Sequence, residues 1–176
     1  NDASAIWMKP KSEISNEQYN EFFSQSGGGF GQPLITLHNK AEGMISYTSL
    51  LFIPEMKPFD LFHVDRSPKV KLYANRVFIT ETLDNLLPRW LRFINGVLDT
   101  SDLNLNVSRE MLQHSPALRR ISKALKKKII NKLKKLKEKD IEKYKKFWNE
   151  FGPVLKEGIY EDTDHKIDIL NLSKFK

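Results

Sequence analysis

Apolar positions along this chain switch between a period of two and a period of three to four, and the switches mark its elements. Ser15-Asn16-Glu17-Gln18 has the spacing of a capping box. Tyr19, Phe22 and Phe23 then lie on one side of a short amphipathic helix, which Gly27-Gly28-Gly29 ends. Leu34–His38 alternates in part and predicts a strand. Met44–Ile53, rich in β-branched and aromatic residues and closed by Pro54, predicts a second. Pro58–His63 is an apolar turn region, and Val70–Thr80 predicts a third strand. Trp90, Leu91, Phe93, Ile94 and Val97 have helical spacing and predict a helix over Leu86–Leu98, with Pro88 in its first turn. Residues 99–114 are polar and weakly periodic, a loop at least through Asn106. Ser115-Pro116 is a strong helix start. Leu118, Ile121, Leu125, Ile129, Leu133 and Leu136 follow as one stripe on a helix of about 20 residues, with Lys on the other faces. A shorter helix over Ile141–Phe151 ends at Gly152-Pro153, and another is expected near Lys166–Leu172. This order predicts an α/β sandwich with a helical extension, since so small a sheet needs a helix on at least one face.

Composition narrows the class. Apolar residues at 40% and charged residues at 29% mark a globular chain and not a disordered one. The chain has no Cys, which removes disulfides, Cys-ligated zinc and thiol catalysis together and fits a reducing compartment. It has no run of about 20 apolar residues and no signal-peptide pattern, so neither a membrane span nor export is expected. The first residue is Asn, and the chain is expected to be a fragment of something longer.

Charge changes the picture only when it is located. The net +7 divides into −2 over residues 1–114, +10 over 115–150 and −1 over 151–176. The basic segment raises a nucleic-acid-binding domain as the alternative function. Against it, no exposed aromatics interleave with the lysines, which surround an apolar stripe as on any solvated helix. A membrane-surface helix over 116–137 ranks lower, because the sheet needs that stripe.

Complete active-site motifs are missing. His38, His63, His114 and His165 have no metal-ligand spacing, so no metal site is expected. The glycines of GGGFG (27–31) follow a helix and lack the Lys of a phosphate loop. The sharpest local feature is Asn106-Val107-Ser108-Arg109-Glu110-Met111-Leu112-Gln113. A guanidinium in a polar stretch before a long helix suits a phosphate, which it grips bidentately at any pH near neutrality. Gln113, four residues on, falls on the same side after one helical turn. By spacing alone, an ordinary ion pair of Arg109 with Glu110 or another carboxylate is the more common arrangement.

Longer stretches weigh more than that motif. EISNEQYNEFF (13–23), YTSLLFIP (47–54), PFDLF (58–62), KLYANRVFIT (71–80), LPRWLRFINGVLDTSDLNLNVSREMLQ (87–113) and YKKFWNEFGPVLKEGIYED (144–162) resemble, in collinear order, the middle domain of the heat-shock protein 90 chaperone family. The likeness is nearest to the family's bacterial branch. It implies a three-layer α-β-α sandwich with a mixed sheet over roughly 1–138, then a coil of short helices over 139–176. It also implies an ATP-dependent, homodimeric chaperone in a bacterial cytoplasm or an organelle. ATP with Mg would be bound by an N-terminal domain absent from this chain, so the fragment alone would hold no cofactor and catalyse nothing. The implied partners are that domain, a C-terminal dimerisation domain and client proteins, without nucleic acid or membrane.

The resemblance also assigns roles. Arg109 matches the residue that reaches the terminal phosphate when the domains close. Gln113 and Asn106 match its supporting polar residues. Phe78 matches an apolar residue supporting the docked arrangement, and Arg76 keeps one of two adjacent basic positions there. Phe30 stands at a client-contact position usually held by Trp, and Phe59 and Phe62 match an apolar surface region. Three departures accompany these matches. Asn104 replaces a Pro, Asn75 replaces a basic residue, and the GGGFG loop replaces a bulkier, more acidic one.

Overall fold

The computed structural model describes residues 5–27, 31–81, 83, 85–103 and 108–175. Ser15 caps the first helix, α1 (Asn16–Gln25), through the capping box: its Oγ accepts from the Gln18 amide, and Gln18 Oε1 accepts from the Ser15 amide. Five strands follow: β1 (Pro33–Ala41), β2 (Tyr47–Pro54), β3 (Lys69–Ala74), β4 (Val77–Thr80) and β5 (Asn95–Thr100). They form one sheet in the order β1-β2-β5-β3-β4. β5 runs antiparallel to β2 and parallel to β3, so the sheet is mixed. The remaining helices are α2 (Arg109–Gln113), α3 (Pro116–Lys139), α4 (Ile141–Leu155), α5 (Glu157–Glu161) and α6 (Lys166–Leu172).

Strand alternation sorts side chains into two cores. Leu50 and Phe52 of β2 and Val97 of β5 pack with Trp7, Ile14 and Phe23 on the α1 face. Leu51, Ile53, Val70, Leu72 and Leu98 face the other way, onto Ile121, Leu125 and Ile129 of α3 and Phe147, Phe151 and Leu155 of α4. The result is the expected α/β fold of three layers: α1 on one face, the sheet, and α3 with its neighbours on the other.

Four expectations are corrected. No helix spans Leu86–Leu98; the stretch holds a 3-10 turn over Arg89–Leu91 and then the strand β5. All six β5 residues are buried because helices cover both faces of this central strand. A strand buried on both faces has no alternation and reads like a helix. Asp99 and Thr100 accordingly belong to β5 and not to a loop. Val70–Thr80 is a hairpin, broken at Asn75 and Arg76, whose φ values of 49° and 68° make a two-residue turn of the type that suits the strand twist. Finally, Gly152-Pro153 does not end α4, which runs to Leu155. A Cβ on Gly152 would lie 2.8 Å from the Trp148 ring, so glycine lets the helix close there. Burial of Val154 and Leu155 then outweighs the bond lost at Pro153.

Three arginines stitch the 57–66 loop to the helices. Arg92, whose side chain is 4% exposed, makes a bidentate pair with Glu157 at 2.7 and 2.8 Å and donates to Leu61 O. Arg66 donates to Arg92 O, and Arg89 donates to the carbonyls of Val64 and Arg66. The hydrogen bonds from Arg92 hold the Glu157 carboxyl below its ordinary pKa, against the opposing effect of burial. A carboxylate with a lowered folded pKa contributes stability above its unfolded pKa and loses it as pH falls through the folded value. Glu157→Gln is therefore expected to cost about 2 kcal/mol at pH 7, at the low side for a buried pair because Glu157 is one-third exposed. In urea titrations the cost should shrink as pH falls below about 4.3, where unfolded Glu protonates. A cost that stays constant down to pH 3 would contradict the ion-pair account.

Candidate functional site: Arg109 and a cationic cleft

Ser108 starts α2 as its N-cap, with Oγ accepting from the Met111 amide at 3.2 Å. Leu112 is the buried anchor of this five-residue helix. Arg109 opens it and Gln113 ends it, both exposed. The helix places them on different hollows. Arg109 lines an open cleft of about 960 Å³, whereas Gln113 lines a hollow of about 30 Å³, and the two share Leu83 and Asn85. Asn106, Asn104 and Phe30 lie outside the described residues.

The cleft is cationic. Lys69, Lys71, Arg89, Arg109 and Lys126 line it, with Glu81 as its carboxylate among the described residues. Its cations are not equivalent. Arg89 is engaged by loop carbonyls, and Lys126 pairs with Asp162 at 3.3 Å. Lys69 and Lys71 enter through strand geometry: two residues apart on β3, they share one face of the sheet while Val70 points to the opposite core. Joining β3 and β4 into one strand hides the role of these two lysines, although their period of two is visible in the sequence.

Arg76 and Phe78 sit on the β3–β4 hairpin. The Arg76 amide donates to the Asp99 carboxylate, which also accepts from the Trp7 indole at 2.9 Å. Asp99 is 5% exposed, so this buried carboxylate ties the hairpin turn to the N-terminal segment. Sequence spacing gave no sign of it. Phe78 is half exposed, with its ring edge-on to Tyr73 at 5.5 Å. Phe59 and Phe62 lie apart, on the loop that the arginines hold. They are 97% and 58% exposed, beside exposed Met56 and Val64. The Arg92 guanidinium sits 5.8 Å from the centre of the Phe62 ring.

Among the described residues, no cluster of His, Asp or Glu could hold a metal ion, and no helix is long and apolar enough to cross a membrane. What the cleft can do chemically is attract and orient anions.

Fold and cleft together define a three-layer α/β module with an arginine at the edge of a cationic cleft. Its residues 1–176 match the family model described as Hsp90 protein, and the chain belongs to that family. It is 57% identical over 176 residues to the chaperone protein HtpG of Paramagnetospirillum magneticum, and 53% identical over the same length to that of Rhodospirillum rubrum. Each match covers 100% of this chain and 28% of the relative's length. A solved structure of the middle domain of a Plasmodium falciparum heat shock protein superposes with a TM-score of 0.84 at 32% identity, covering 97% of this chain and 66% of that one. The nucleic-acid-binding alternative finds no support in these relatives.

Proposed function

We propose that this chain is the middle segment of an ATP-dependent molecular chaperone, and that Arg109 acts on ATP held by a preceding N-terminal domain. The observation that carries the reading is the placement of Arg109, exposed at the capped start of α2 on the edge of a cleft rich in positive charge. A guanidinium there can meet a phosphate presented from outside the module. It would stabilise charge on the transferred phosphoryl group, and domain closure would gate the contact. Gln113 and Asn106 would hold the segment around Arg109. Phe78 and Arg76 would meet the docked domain.

Phe59 and Phe62, with Phe30, would contact client proteins. The firm anchoring of the 57–66 loop by Arg66, Arg89 and Arg92 supports a presented surface there. Residues 1–138 would form the α-β-α unit and 139–176 an extension toward a C-terminal dimerisation domain, giving a homodimer in the cytoplasm. Mg would accompany ATP in the N-terminal domain.

Calorimetric titration of this chain with Mg-ATP tests the division of labour. The expected result is no binding tighter than the millimolar range, with tight binding once the N-terminal domain is joined. Micromolar binding by this chain alone would contradict it.

A further inference from the structure

The cationic cleft does not end at Lys71. A second open trough of about 530 Å³ runs beneath α1, and the two share Ser26 and Lys71. The second trough adds aromatic surface: Phe22 and Tyr73 are half-buried in its wall, backed by buried Trp7 at ring-centre distances of 5.9 and 4.7 Å, with exposed Lys9 and Glu21 also among its lining residues. Together they make one groove with an aromatic end and a cationic end.

Lys71 stands at the junction and Lys69 beside it in the cationic end, and neither shows an ion pair to another described residue. Lys69 is exposed and Lys71 half-buried. Positions two apart on a strand lie roughly 7 Å apart. Carboxylates at alternate positions of an extended polypeptide have the same spacing. A lysine ammonium is a compact charge that donates to such carboxylates from many directions.

We propose that this groove binds an extended acidic segment of another protein, with alternate carboxylates on Lys69 and Lys71 and a neighbouring aromatic or aliphatic side chain on the half-buried rings of Phe22 and Tyr73. Each half of the groove excludes a simpler occupant. A bare polyanion leaves the aromatic wall uncovered. An apolar peptide leaves the two ammonium groups without counter-charge. Small molecules favour enclosed pockets, and this groove is open along its length. The site is separate from Phe59 and Phe62, and it needs neither ATP nor catalysis by Arg109.

Fluorescence anisotropy with a labelled 12-residue peptide, alternating Asp with Leu and carrying one Phe, tests the proposal on this chain. Lys69→Glu with Lys71→Glu should weaken binding about tenfold or more. Lys71→Gln, a milder change that guards against misfolding, should weaken it about threefold, with thermal midpoints confirming that both variants fold. Replacing the peptide's Phe with Ser should cost about fivefold. The same charge reversal on exposed α3 and α4 positions, Lys135→Glu with Lys146→Glu, should change binding less than twofold.

Three results would overturn the proposal. One is an equal loss in that control pair, which would reduce the effect to net charge. Another is displacement of the peptide by tripolyphosphate or oligothymidylate at equal charge concentration, which would make the site a general polyanion site. The third is a salt-sensitive dimer of the chain alone that excludes the peptide, which would assign the groove to a second copy.

Discussion

Gly96→Ala is expected to cost about 3–5 kcal/mol of stability. Gly96 sits inside β5, the central strand, with φ at +145°, where side chains are rarely tolerated. A Cβ there would lie 2.1 Å from Leu50 O and 2.9 Å from the Leu51 Cα. Both clashing atoms are backbone of β2, so no rotamer change relieves them. β2 would have to move, and it carries Leu50 and Phe52 into one core and Leu51 and Ile53 into the other. Two packed layers therefore resist the same shift. For a domain of this size the loss corresponds to a fall in Tm of roughly 10–15 °C, readable by circular dichroism. A change of under about 2 °C would mean that the β2–β5 contact is far looser than described.

Arg109→Ala, in the full-length protein, is expected to slow ATP hydrolysis by roughly 10²–10³-fold with little loss of nucleotide binding. The magnitude follows from when the contact forms. A guanidinium that reaches ATP only on domain closure contributes to the transition state more than to the ground state, so it raises kcat and leaves affinity nearly alone. Arg109→Lys retains the charge and loses the planar fork, and it should recover only part of the rate. A structural role for Arg109 predicts another pattern, with lower stability and a modest, unspecific loss of rate. Arg109 is exposed, and buried Leu112 and the Ser108 cap anchor α2.

How far the sequence foretold this varies by element. α3 was plain: Leu118, Ile121, Leu125, Ile129 and Leu133 are all buried, and Ser115 caps the helix before Pro116. There, one face meets protein and the rest meets water, so the period survives in the residue types. β5 was illegible for the opposite reason, since burial on both faces erases the period. The Asn75-Arg76 turn lacks the glycine that usually marks a two-residue hairpin, and the flanking Val70–Ala74 and Val77–Thr80 ran together.

The site was legible only in part. Arg109 lies in the sharpest local motif, but only family likeness attached a role to it. Lys69 and Lys71 became meaningful once β3 had a face, and Asp99 once the sheet brought it to Trp7 and Arg76. Such pairings join residues 92 and 23 positions apart, a distance over which local pattern is silent.

The most direct measurement compares full-length wild type with Arg109→Ala under single-turnover conditions, with ATP affinity measured on the same samples. The predicted result is a hydrolysis rate lower by about two to three orders of magnitude at an affinity within about threefold of wild type. An unchanged rate in a folded, ATP-binding variant would contradict the role given to Arg109.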